Sequence, residues 1–343
     1  MKKYFIFLFI LIITFSLTAC DMDRNQEKEE PITKVVMVVS EGCSGYLSYK
    51  DIACQGIERA KGDFKIETEV LEAETTAEYI SALSQAAEKG ADLIIAVGCI
   101  TSSKLESIAE QYPGTAFAVV DSEEDIRENV MSLAFKEHEG SFLMGIIAAL
   151  TTKTDVIGFI GGVPGPTVDK FEYGFRGGVK SINPDAQVLV GYTDSFEDPQ
   201  SGREIALNQI KEGADIIFHE SGQCGNGIID VASEQEVWVM DVVQDQSSDD
   251  SGTVLCSMFI RVDHAVYFAI QAFMEDDFDG GIYEFGLDFE AVGYIDNSKN
   301  LTVDITNQLK AYENAILAGD IYVPKTREDF EQFTVPIDGL LSQ

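Results

Sequence analysis

Three histidines, His138, His219 and His264, and the cysteines Cys43, Cys54, Cys99, Cys224 and Cys256 carry most of the nucleophilic and metal-binding capacity of this sequence. They form no HExxH, CxxCH or CxxC arrangement, and neither a GxSxG elbow nor a GxxxxGK[ST] phosphate loop occurs. Scattered thiols, odd in number, argue against a disulfide framework or zinc site and for buried free cysteines. Gly222 to Gly227 (GQCGNG) has the wrong glycine spacing for a dinucleotide fingerprint and reads as a loop at a helix N-terminus. Asp245 to Gly252 (DQSSDDSG) fails the EF-hand spacing and reads as a solvated loop. No cofactor and no metal is expected. What remains is a set of polar, glycine-rich segments suited to holding a ligand: Ser40 to Gly45, Gly98 to Ser103, Asp121-Ser122, Gly161 to Gly165, Glu220 to Gly225 and Val243 to Gln246.

Each of these segments follows a strand-like run. Lys34 to Ser40 (KVVMVVS) is a continuous apolar, β-branched stretch, as expected of a strand buried on both faces. A helix over 51–61 follows, with Ile52, Cys54 and Ile57 on one side. Helices over 77–89, 103–111 and 139–150 lead in turn to strands over 91–97, 116–120 and 156–160. That alternation implies βαβ units around parallel sheets, in which ligands bind beyond the carboxyl ends of the strands. An internal echo divides the chain: Lys89-Gly90-Ala91-Asp92-Leu93-Ile94-Ile95 matches Glu212-Gly213-Ala214-Asp215-Ile216-Ile217-Phe218, each after an amphipathic helix. In each copy glycine should end the helix with a left-handed cap. Two lobes built to one plan follow, and more than three hundred residues exceed what one core usually serves.

The N-terminus carries an address. Lys2 and Lys3 precede an apolar run from Tyr4 to Phe15 that is shorter than the ~20 residues needed to span a bilayer. Leu17-Thr18-Ala19-Cys20 then resembles a bacterial lipobox, which implies cleavage before Cys20 and lipidation of its sulfur. Asp21 to Pro31 is too polar to fold and should be a tether. The formal net charge of −35 becomes about −37 once Lys2 and Lys3 leave with the signal. Such a surface excludes nucleic acid as a partner and favours a soluble monomer.

Several longer stretches resemble the basic membrane protein family, the PnrA-like substrate-binding lipoproteins of ABC transporters, whose best-known members bind purine nucleosides. They are Glu139-Gly140-Ser141-Phe142-Leu143-Met144-Gly145, Phe171 to Gly178 (FEYGFRGG) with Asn183-Pro184, Ser195 to Pro199 (SFEDP) and Gly213 to Phe218 (GADIIF). The resemblance runs from Lys34 to about Pro324. It implies an α/β, type I periplasmic-binding-protein fold, with two Rossmann-like lobes of parallel sheet joined by a three-strand hinge. The expected division is a signal peptide over 1–19, a tether over 20–33, an N-terminal lobe over 34–135 plus 259–290, and a C-terminal lobe over 136–258 plus 291–343.

The resemblance also implies ligand contacts, several of them altered here. The family's first-strand Asp is Ser40, its Ser-Phe-Asn is Ser48-Tyr49-Lys50, its ribose-binding Asp is Val243, and its Lys in the S-M-x-K-R-V-D stretch is Ile260. Asp121 after the third strand and Asp245 are retained; Gly98, Cys99 and Gly222 lie in the same rim loops. The aromatic from the second lobe corresponds to Phe218 or His219, and strand alternation lets only one of them face the cleft. With both ribose-side charges gone, a small aromatic heterocycle with reduced sugar recognition is expected: a modified nucleoside, a nucleobase or a flavin-like ring. A membrane permease is the implied partner. A sensor subunit that reports ligand without transport needs the same clamp, and a hydrolase using Cys99 or Asp121 is the remaining alternative.

Overall fold

The computed structural model describes residues 32–40, 49–98, 102–124, 126–242, 252–296 and 300–334. Chain order runs β1 (Thr33–Ser40), α1 (Tyr49–Asp63), β2 (Ile66–Ala73), α2 (Thr76–Glu88), β3 (Leu93–Val97), α3 (Ser102–Gln111), β4 (Ala116–Val120) and β5 (Val130–Phe135). It continues through α4 (Glu137–Thr151), β6 (Val156–Gly161), α5 (Pro166–Ile182), β7 (Gln187–Tyr192), α6 (Pro199–Lys211), β8 (Ile216–Glu220), α7 (Cys224–Gln235) and β9 (Trp238–Val242). The last elements are β10 (Val254–Ile260), α8 (Val262–Met274), β11 (Gly281–Phe285), β12 (Val292–Ile295), α9 (Val303–Leu317) and α10 (Arg327–Gln332).

These strands form two six-stranded sheets, ordered β11-β5-β4-β3-β1-β2 and β12-β10-β9-β8-β6-β7. Every pairing is parallel except β10 with β12. The chain passes from the first sheet to the second after Phe135, returns after Ile260 to lay α8 on α1, and passes again between Phe285 and Val292. The passages lie side by side: Lys136 N–H donates to Phe285 O at 3.0 Å, and Arg261 N–H donates to Ala291 O at 2.7 Å.

The run that reads as a strand buried on both faces is so: Val35 to Val39 are buried, and all of β3, β4 and β5 are buried as well, as parallel strands covered on both faces must be. Within its span, the alternation expected from sequence leaves out two strands of the first sheet, β5 between 120 and 139 and β2 between 61 and 77. β2 (IETEVLEA) sits at the sheet edge with Glu67, Glu69 and Glu72 exposed, and its polar outward positions break up any apolar run.

The internal echo is a repeated helix ending. Ala91 N–H donates to Ala86 O at 3.1 Å and Ala214 N–H to Gln209 O at 3.0 Å, across glycines at φ 79° and 108°. These are Schellman closures, in which a left-handed glycine lets the next amide reach back to an unsatisfied carbonyl. Each aspartate then pins the start of its lobe's first strand or the turn before it. Asp92 Oδ2 accepts from Lys34 N–H at 2.7 Å, and Asp215 accepts from Thr152 Oγ1 at 2.6 Å and Lys153 N–H at 2.7 Å. With Asp92 so engaged, β3 starts at Leu93, two residues beyond the expected Ala91.

The stretches Glu139 to Gly145 and Phe171 to Gly178 are the contact between α4 and α5. Ser141 Oγ donates to Phe171 O at 2.6 Å, and a Cβ on Gly178 would stand 2.0 Å from Phe142 O. The motifs that carry the family resemblance most strongly therefore serve helix packing. Among the described residues no helix is long and apolar enough to cross a membrane.

Candidate functional site

The loops beyond the carboxyl ends of the strands carry the candidate ligand residues. In the first sheet, Ser40 ends β1, Tyr49 and Lys50 open α1, Gly98 follows β3, and Asp121 follows β4. Gly98 has a φ of 138°, so a side chain there would be strained. Asp121 is exposed and has a φ of 60°, with its N–H donating to Leu133 O at 2.9 Å. That left-handed conformation is one aspartate and asparagine tolerate better than most residues, so Asp121 has a backbone role as well as a charge to offer. Cys20, Ser48, Cys99, Val243 and Asp245 lie outside the described residues, as does most of the acidic run 245–252.

Lys50 is engaged by its own lobe. Its ammonium lies 2.5 Å from Glu72 Oε1 at the end of β2, both side chains being partly exposed. The hydrogen bond it donates to Glu72 raises its pKa above the ordinary lysine value.

On the second sheet, β8 separates Phe218 from His219. Phe218 is fully buried, its ring centroid 5.0 Å from Phe175 and 5.9 Å from Phe159, in the core beneath α5. His219 points to the opposite face, against Gly225 in the first turn of α7; a Cβ there would stand 2.2 Å from the imidazole Cε1. Its Nδ1 is 3.4 Å from Ser221 Oγ, and its Nε2 is buried without a hydrogen-bond partner. Burial holds the imidazole down to a pKa of about 4, so it is neutral at pH 7. Of the two, His219 is the one that adjoins the rim loop Ser221 to Gly225.

Gly222 turns that loop at a φ of 56°. The first amides of α7 are satisfied by the loop itself: Cys224 N–H bonds Ser221 O at 3.1 Å, Gly225 N–H bonds Gly222 O at 3.0 Å, and Asn226 N–H bonds Gln223 O at 3.1 Å. Ile260, at the end of β10, is buried in the core opposite Val292. Where the family resemblance implied a lysine reaching a ligand, this chain has a side chain that packs inward.

A charged cluster that no sequence motif marks lies between the two sheets. Lys170 on α5 donates to Glu137 Oε2 at 2.7 Å and to Phe135 O at 3.0 Å, and it forms an ion pair with Glu123 in the β4–β5 loop. Lys170 and Glu137 are buried, and Glu123 is half exposed. Burial pushes the Glu137 carboxyl up to about 7 against the opposing pull of Lys170, and the Asp121 charge pushes it further in the same direction. The motif Phe171 to Gly178 begins one residue after Lys170, but nothing in the local pattern marks a lysine whose partners are 33 and 35 residues away. Among the described residues no group of three or more His, Cys, Asp or Glu side chains could hold a metal ion.

Two similar lobes, three adjacent crossings and polar loops at the carboxyl ends of parallel strands define a solute-binding fold. A solute-binding protein of an ABC transporter system from Aeropyrum pernix superposes with a TM-score of 0.72 at 25% identity, covering 88% of this chain and 96% of that one. A second from Conexibacter woesei gives 0.71 at 18% identity, covering 86% and 99%, which speaks for the fold alone. The architecture is thus the type I periplasmic-binding-protein fold. A profile described as ABC transporter substrate-binding protein PnrA-like matches residues 32–327. A CD4+ T-cell-stimulating antigen of Listeria innocua is 34% identical over 327 residues, spanning 89% of this chain and 92% of the relative. Basic membrane protein A1 of Borrelia garinii is 32% identical over 333 residues, spanning 95% and 98%. The chain belongs to the PnrA-like family of ABC transporter substrate-binding proteins, a family and fold of binders rather than enzymes.

Proposed function

We propose that this protein is a monomeric solute receptor, lipid-anchored through Cys20 on the outer face of the cell membrane, that delivers a small aromatic heterocyclic ligand to the permease of an ABC importer. The observation that carries the reading is the pair of parallel sheets linked by three hydrogen-bonded crossings, with their polar rim loops at the strand ends. The lobes that close are taken as 34–135 plus 259–290 and 136–258 plus 291–343. Binding is then a shift between open and closed forms, with affinity set by how much better the closed lobes complement the ligand.

Asp121 is the principal polar contact in this reading, with Tyr49 stacking on the ring and Ser40, Ser48, Gly98, Cys99, Gly222 and Asp245 lining the rim. His219 contributes from the second lobe as a neutral imidazole. The replacement of charged ribose contacts by Val243 and Ile260 supports a nucleobase, modified nucleoside or flavin-like ligand over an ordinary nucleoside. A thermal-shift screen of the mature domain against nucleosides, nucleobases, flavins, sugars and amino acids tests this. Stabilisation by the heterocycles is expected, and stabilisation by sugars or amino acids alone overturns it. Cys20→Ser should release the protein from membranes with ligand binding intact.

A further inference from the structure

We propose that Lys170 is a positioning residue that latches the two lobes together, holding the Asp121-bearing loop of the first lobe against α5 of the second through Glu123. The importance of that loop rests on the ligand reading above, whereas the latch itself does not.

A lysine ammonium has three N–H donors and no acceptor, and here three acceptors meet it: Phe135 O, Glu137 Oε2 and Glu123 Oε1. The first two belong to the chain passing from β5 into α4, at the crossing between the lobes, and anchor Lys170 there. The third acceptor is different. Glu123 lies two residues beyond Asp121 in the β4–β5 loop, and its side chain is 51% exposed where those of Lys170 and Glu137 are 9% and 5% exposed. It is the contact that can open at modest cost, because water can replace the lysine at an exposed carboxylate but not at a buried one.

The loop is otherwise fixed to its own lobe. Asp121 N–H bonds Leu133 O at 2.9 Å, and Ser132 Oγ donates to the Glu124 carbonyl at 2.6 Å. Glu123 sits between these two anchors, so its contact with Lys170 transmits the position of α5 to Asp121. Asp121 in turn acts electrostatically on Glu137, pushing its carboxyl further up.

Small-angle scattering and hydrogen exchange on the ligand-free mature protein test the latch without any ligand. Glu123→Gln should shift the scattering to a larger radius of gyration and raise amide exchange across 121–124, while lowering the melting temperature by no more than about 3 °C. Glu123→Asp, which keeps the charge, should restore wild-type scattering. Lys170→Met should open the protein as Glu123→Gln does, with an added loss of stability from the unpaired Glu137. Glu137→Gln, which leaves Lys170 and Glu123 facing each other, should scatter as wild type. Unchanged scattering and exchange in Glu123→Gln would overturn the proposal, as would an identical opening in Glu123→Asp. Failure of every heterocycle in the ligand screen would leave these readouts as they are.

Discussion

Gly145 of α4 faces the backbone of Phe175 on α5 so closely that a Cβ at 145 would stand 2.1 Å from the Phe175 carbonyl oxygen. The obstacle is main chain of a packed helix, which cannot swing aside as a side-chain tip can. Gly145→Ala should therefore force the helices apart and cost at least 1 to 3 kcal/mol, the usual range for overpacking. Gly62→Ala provides the opposite case: that glycine lies inside α1 with nothing within 4 Å of an added Cβ, so alanine should stabilise by about 0.5 to 1 kcal/mol. Chemical denaturation of the two variants against wild type gives both signs directly.

Phe218 and Asp121 should separate stability from binding. Phe218→Ala opens a cavity among Phe159, Phe175 and their neighbours, and a loss of about 3 to 5 kcal/mol is expected. Asp121→Asn keeps a residue suited to the left-handed backbone at φ 60°, so its ligand-free melting curve should stay near wild type. On the proposed function it should weaken ligand binding at least tenfold, from the loss of one charged hydrogen bond worth about 1.5 to 3 kcal/mol. Calorimetric titration with a compound selected by the thermal-shift screen measures this, and undiminished affinity would remove Asp121 from the site.

The segment after α9 is strapped to α5 by cations over rings. The Arg176 guanidinium lies 4.5 Å from the Phe330 ring centroid and the Lys180 ammonium 5.1 Å from it, while Lys180 also donates to Phe333 O at 2.7 Å. Phe330→Leu keeps apolar bulk but removes the π face, and a destabilisation of about 1 kcal/mol is expected. In the Arg176→Met background the same change should cost less, and a double-mutant cycle reads the coupling.

The parts of the fold legible in the sequence were those with one dominant local signal. The apolar run Lys34 to Ser40, the helix at 51–61 and the echoed glycine caps at Gly90 and Gly213 all fall where their patterns place them. β2 escaped because an edge strand with glutamates outward resembles a polar helix or loop. The site was harder to read. Alternation required Phe218 and His219 to face opposite ways, but which face lies under α5 and which against α7 depends on packing between distant segments. The Lys170 cluster draws on residues 123, 135, 137 and 170, and its meaning exists only where the crossing brings them together.

The same buried groups set an acid limit on stability. Burial lowers His219 from an ordinary value of 6.5 to about 4 and His138 to about 3, the latter also under the positive charges of Lys170, Lys325 and Lys136. Unfolding exposes both imidazoles, which then bind protons at pH values where the folded protein does not. Their contribution is complete above about pH 6.5 and falls away as the pH drops toward the folded values. Glu137 has the opposite sign: with its folded value raised to about 7, its contribution is complete below about pH 4.5 and is lost as the pH rises through 7. Two histidines against one glutamate leave a net loss of stability between pH 6.5 and 4 from these groups. His219→Asn should flatten that decline by on the order of 3 kcal/mol across the window, whatever it costs at pH 7. Glu137→Gln should make the protein relatively more stable as the pH rises from 5 to 8. Urea denaturation at half-unit pH steps reads both slopes. An unaltered slope in His219→Asn would mean that the imidazole is charged in the folded state and has found a partner for its Nε2 proton.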